Sequence, residues 1–142
     1  MRFIKLVVVL LVVSFCTHYV WEMLHISLYT GYQNLGSGAS LTLYATIGDV
    51  LYTLGAVLLV ALFKHRLVWI PKAEKSDFVG LTLLGFLLAL LVEYKALALH
   101  RWGYTAMMPL LLGVGLSPLL QMVVLLPLSI YITKRFTHRS YQ

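Results

Sequence analysis

Acidic side chains are scarce in this chain, with five Asp and Glu in 142 residues against eleven Lys and Arg. Charged residues of both signs make up 11% of the sequence, whereas soluble domains carry about 25%. That shortage excludes an ordinary water-soluble domain. Cysteine is nearly absent too: the single Cys16 cannot close an internal disulfide, so no disulfide framework is available. No CxxC, phosphate-binding loop or Ser/His/Asp constellation is present. The two halves share no motif, so an inverted-repeat transporter finds no support. A net charge of +6 would suit nucleic acid, but the basic residues sit beside apolar runs and build no basic domain. Nucleic acid is therefore not expected as a partner.

What the chain has in abundance is apolar surface: 61% of residues are hydrophobic and the mean hydropathy is +0.89. Four apolar runs stand out, at 4–29, 43–63, 78–99 and 104–133. Each is long enough for the ~20 residues that cross a bilayer core, and in lipid each must be a helix to satisfy its own backbone. The expectation is an all-α integral membrane protein, one four-helix bundle over 1–142, in a bacterial inner membrane. Arg2 and Lys5 before an apolar run also resemble a signal peptide. No A-x-A-like site follows, and the run continues past Cys16 to Trp21, so the segment is read as a retained first span.

Nine of the eleven Lys and Arg lie at the start, between the second and third spans, or after the fourth. The positive-inside rule then predicts cytoplasmic termini, a cytoplasmic 64–77 loop and an exterior 30–42 loop. Asp77, or Ser76 before it, is placed to cap the third helix.

The scarce acids carry the functional signal. Glu22, Asp49 and Glu93 fall inside three different spans, where a charge costs roughly 2.5–3.5 kcal/mol on insertion scales and usually marks function. Helical spacing puts Ser14, His18, Glu22 and His25 on one face of the first span. Thr42, Thr46, Asp49 and Thr53 share a face of the second, Thr82, Glu93 and His100 of the third, and Gly113, Ser117 and Gln121 of the fourth. At 1.5 Å per residue the acids lie about 5–10 Å outside the midplane. The inner half reads as nearly pure Leu, Val and Phe. An outward-facing site follows more naturally than a through-pore. Pro118, between Gly113-Val114-Gly115 and the rest of the fourth span, predicts a kink and a freed carbonyl.

Burial moves carboxyl and imidazole proton affinities toward each other, so Glu22, Asp49 and Glu93 with His18 and His25 form a candidate acid–base set. Trp21, Tyr52, Ser117, Gln121 and Lys95 are the candidate substrate contacts. Glu22-x-x-His25 has the spacing of carboxylate-bridged metal bundles, which makes His18, Glu22 and His25 candidate ligands for a divalent transition metal, although the second E-x-x-H of a di-metal site is missing. His25 and His100 are the one pair that could ligate haem. A Glu22 to Lys95 ion pair between helices is the plain structural alternative. Arg101, Trp102, Tyr104 and Trp69 read as interfacial anchors, and adjacent Met107 and Met108 as packing.

In size, in span count and in the embedded Glu22 of its first span, the chain resembles small multidrug transporters. No other motif matches, and no family is assigned. The reading that best fits the outward cluster above an apolar half is an enzyme acting on a lipid or isoprenoid-like substrate. A proton-coupled transporter and a metal- or haem-binding subunit or assembly factor are the alternatives. Membrane lipid is the expected partner, and a homo-oligomer is compatible with the sequence.

Overall fold

Four long helices carry the chain up and down: α1 (Arg2–His25), α2 (Gly38–Phe63), α3 (Lys75–Ala98) and α4 (Leu116–Thr137). They belong to a computed structural model that describes residues 2–31 and 38–138. All four are long and apolar enough to cross a membrane. Residues 32–37 of the 30–42 loop, and Arg139 of the basic tail, lie outside the described residues.

The helices do not pack as a symmetric ring. α4 sits between α1 and α3 and packs closely on both, α2 packs on α1, and α2 and α3 meet only sparingly. Local sequence explains the closest contact. The buried face of α3 is Leu81, Gly85, Ala89, Glu93 and Ala96, mostly small residues that let another backbone approach. At Gly85 a Cβ would lie 2.5 Å from the Met122 carbonyl oxygen of α4.

One end of the bundle, here the basal end, is where α1 begins and α4 finishes. It is filled by Leu6, Leu10, Ala56, Val57, Ala61, Leu81, Leu126 and Ile130, and the loop between α2 and α3 folds back into it. Trp69 and Ile70 of that loop are 1% exposed, and the Trp69 indole donates to the Val57 carbonyl at 3.1 Å. Trp69 is thus a plug of the core, not the interfacial anchor expected from its position. Lys134 Nζ reaches the Ala73 carbonyl at 2.6 Å, and Lys64 pairs with Asp77 at 2.7 Å. α3 starts with a reciprocal capping box: Glu74, not Asp77 or Ser76, is the N-cap, and Asp77 returns a bond to the Glu74 amide at 2.8 Å. The basal half is also less purely apolar than its sequence suggests. Ser14, Ser129, Thr133 and Thr137 are buried in it on α1 and α4.

The opposite, distal end differs from expectation where the fourth span starts. Residues from 103 to 115 are not helical. They contribute β2 (Gly103–Tyr104), which pairs with β1 (Tyr29–Thr30), and then the hairpin of β3 (Leu110–Leu111) with β4 (Val114–Gly115). Leu112 and Gly113 turn that hairpin in the left-handed region, at φ 54° and 79°, and Leu116 N donates to the Pro109 carbonyl at 2.7 Å. Helix α4 therefore begins only after Gly115. Pro118 falls in its first turn, where its missing N–H would have had no intrahelical partner. No kink or freed carbonyl arises there, and Gly113 is not on the α4 face. Pro127 is the proline inside the helix.

Candidate functional site

The site is built where three buried polar faces converge. On α1 the face predicted by spacing is the buried one: Ser14, His18, Glu22 and His25 all lie inside. On α2, Thr42, Thr46 and Thr53 are buried, and Asp49 beside them is half-buried. α4 supplies Gln121, 3% exposed.

Gln121 is the hub. Its amide nitrogen donates to Glu22 Oε1 at 2.9 Å and to Asp49 Oδ2 at 2.7 Å. An amide carries two protons, and both are spent on these carboxyls. His18 Nδ1, 3.2 Å from the same nitrogen and 3.6 Å from Asp49 Oδ2, is a close neighbour behind them. The other His18 nitrogen lies 3.3 Å from the Thr53 hydroxyl. Glu22 and Asp49 thus accept from one and the same amide, which brings the two carboxyls side by side.

His25 closes the cluster on the distal side. Its Nε2 is 3.1 Å from Glu22 Oε1, off the direction of a ring N–H bond, and its Nδ1 is 2.8 Å from the Ser117 hydroxyl. Ser117 therefore orients a histidine and does not line the cavity.

Glu93 stands a step away on α3. It is held by two donors from the distal strand segment. Trp102 Nε1 donates at 3.2 Å, and the Tyr104 hydroxyl makes a short bond to the same oxygen. Burial first, and then this bond, push the Tyr104 phenol above its usual range, so Tyr104 is a neutral donor. Trp102 and Tyr104 are thus part of the polar site, in contrast to the anchor role expected from their sequence. The signal available in the sequence was their nearness to Glu93. What was missing is the pairing of Tyr29 with Tyr104 that folds the segment back.

Glu22, Asp49, Glu93 and Gln121 face a cavity of about 960 Å³ between α2 and α3. Tyr29, Tyr44, Tyr52 and Trp102 add aromatic wall, and Leu88, Val92 and Met122 add apolar wall. Of the expected contacts, Tyr52, Gln121 and Lys95 line it. Trp21 does not: one residue before Glu22, it projects about 100° round the helix and is half-buried elsewhere.

Several expected groupings do not form. His18, Glu22 and His25 do not converge as a chelating set, because the His18 nitrogens face Thr53 and Gln121 while His25 faces Glu22 and Ser117. Among the described residues no three His, Cys, Asp or Glu gather in a metal-holding geometry. His25 and His100 do not face each other either, since His25 is buried whereas His100 is exposed in the turn after α3. His100 also leaves the predicted α3 stripe, and Thr82 is only half-buried. Among the described residues Lys95 makes no ion pair with Glu22.

No protein-family model matches the chain, and neither curated proteins nor solved structures gave a match.

Proposed function

We propose that this protein is a membrane-embedded enzyme in which the Glu22 and Asp49 pair performs acid–base chemistry on a lipid or isoprenoid-like molecule. The observation that carries the reading is that Glu22 and Asp49, joined through the Gln121 amide, both stand on the wall of a large, partly aromatic cavity. Two carboxyls on one donor disfavour double ionisation, so one of the pair can deliver a proton to a substrate atom and receive one back. Gln121 fixes both carboxyls, and His18 stands behind them, 3.6 Å from Asp49. Glu93, held by Trp102 and Tyr104, is the second acid of the cavity.

The sparing contact between α2 and α3 supports entry of an apolar substrate sideways, from the plane of the bilayer. The filled basal half, with Trp69 and Ile70 seated in it, weighs against a path for a solute from one end to the other. The distribution of Lys and Arg supports cytoplasmic chain ends and a cavity in the exterior half.

The test uses purified protein in lipid nanodiscs, incubated with an extract rich in isoprenoids and glycerolipids and followed by mass spectrometry. The wild-type protein should convert a species that Glu22→Gln and Asp49→Asn leave untouched. A proton-gradient-dependent uptake in proteoliposomes, with no converted species in the nanodisc assay, would replace the enzyme with a transporter.

A further inference from the structure

The cavity has a second chemical end that the carboxyl pair does not use. At its distal mouth stand Lys95, His100 and Arg101, all lining it and all exposed. The end of α3 holds them there. Arg101 N returns to the Ala96 carbonyl at 2.9 Å and His100 N to the Leu97 carbonyl at 3.1 Å, with His100 in the left-handed region at φ 51°. None of the three has an acidic partner among the described residues. Glu93, the nearest acid in sequence, is instead held by Trp102 and Tyr104. Across the mouth lies the first turn of α2, with Ser40 and Leu41 lining the same cavity, and the start of a helix favours negative charge.

Away from this mouth the lining turns apolar, through Leu88 and Val92 on α3 and Leu51 and Tyr52 on α2. These residues flank the sparing contact between α2 and α3. A cationic rim continuous with an apolar wall that opens sideways matches one kind of molecule.

We infer that the cavity binds an amphiphile with a phosphate or other anionic head group, its head on Lys95 and Arg101 and its chain leaving between α2 and α3. This rests on the reading of the cavity as a substrate site and names the substrate class. The head group would sit at the rim. The first carbons of the chain would then pass the Glu22 and Asp49 pair, which sets where along the molecule the chemistry falls. A basic rim that only anchored the protein at an interface would not distinguish among ligands of the same chain length.

Isothermal titration of the full-length protein in lipid nanodiscs separates these cases, with dodecyl phosphate, a neutral dodecyl glycoside and inorganic phosphate as probes. Dodecyl phosphate should bind more tightly than both others. The double variant Lys95→Gln/Arg101→Gln should lose about tenfold or more of that affinity, the scale of one or two charge-assisted hydrogen bonds, with its thermal unfolding unchanged because both side chains are exposed. Equal binding of dodecyl phosphate by wild type and double variant, or equal binding of the neutral glycoside, overturns the inference. Inorganic phosphate binding as tightly as dodecyl phosphate overturns the amphiphile and leaves a simple anion site. Glu22→Gln keeps the two proposals apart. It should still bind dodecyl phosphate, so a failure of the acid–base reading would appear as undiminished turnover in that variant and not as altered binding.

Discussion

Gln121 carries more of the site than either its type or its position announces. A neutral amide next to two carboxyls is the one side chain here that can donate to both at once, at 2.9 and 2.7 Å, without adding charge. Its removal leaves Glu22 and Asp49 with no common donor. Hydrogen bonds between helices in membranes contribute about 0.6 kcal/mol on average and up to about 1.7. Gln121→Leu, which keeps the volume and removes both bonds, should therefore cost about 1–3 kcal/mol. Turnover should fall with it, because the two carboxyls lose their fixed spacing. Equilibrium unfolding in micelles measures the first effect and the nanodisc assay the second; a Gln121→Leu protein with wild-type stability would show that the amide is dispensable to the fold. Trp102 and Tyr104 act at the same scale on Glu93 alone. The helical period makes His18, Glu22 and His25 readable from sequence as one face, because residues three and four apart must share a side. It says nothing of Trp102 or Tyr104, which reach Glu93 only through a two-residue strand pairing.

Elements rather than residues decide where the cavity opens. α3 and α4 approach each other because Gly85 presents no side chain to the Met122 carbonyl. Gly85→Ala would place a methyl 2.5 Å from that oxygen, so the helices must separate. Overpacking of this kind costs about 1–3 kcal/mol, and movement of α3 would disturb Glu93 with it. Gly80→Ala is the control on the same helix, since nothing lies within 4 Å of its added Cβ. It should be neutral or slightly stabilising, given the better helix propensity of alanine. Thermal melting of the two variants in parallel should show a loss for Gly85→Ala only. The elements also mark where sequence reading gives out. Apolar residues predominate through 104–133, yet Pro109 and Gly115 bracket a hairpin that turns at Gly113, and α4 is postponed to Leu116. Hydropathy reports burial and lipid contact, not hydrogen bonding, so an apolar hairpin and an apolar helix look alike to it. The plugging of the basal end by Trp69 is equally hidden, because it depends on a loop turning back onto Val57.

At the scale of the whole molecule the polar and apolar halves imply a direction. The carboxyl cluster and the cavity lie toward the distal end, and the packed cluster around Trp69 toward the basal end. Lys5, Lys64, Arg66, Lys72, Lys75, Lys134 and Arg135 accompany the basal end, while Lys95 and Arg101 are near the cavity mouth. Orientation in membranes follows such a bias in Lys and Arg near helix ends, so the basal end should face the cytoplasm and the cavity the exterior. Labelling of single cysteines in intact cells tests this, with Cys16, which is exposed on α1, replaced by Ala. Ser37 lies outside the described residues; Ser27, exposed just past the end of α1, marks the distal end. Ser76, exposed at the start of α3, marks the basal end. Ser27→Cys should react with an impermeant thiol reagent added outside, and Ser76→Cys only after the cells are opened. The reverse pattern would turn the cavity toward the cytoplasm. An amphiphile would then have to arrive from the inner leaflet, with its anionic head on Lys95 and Arg101 at the cytoplasmic surface, while the acid–base reading of Glu22 and Asp49 would stand unchanged.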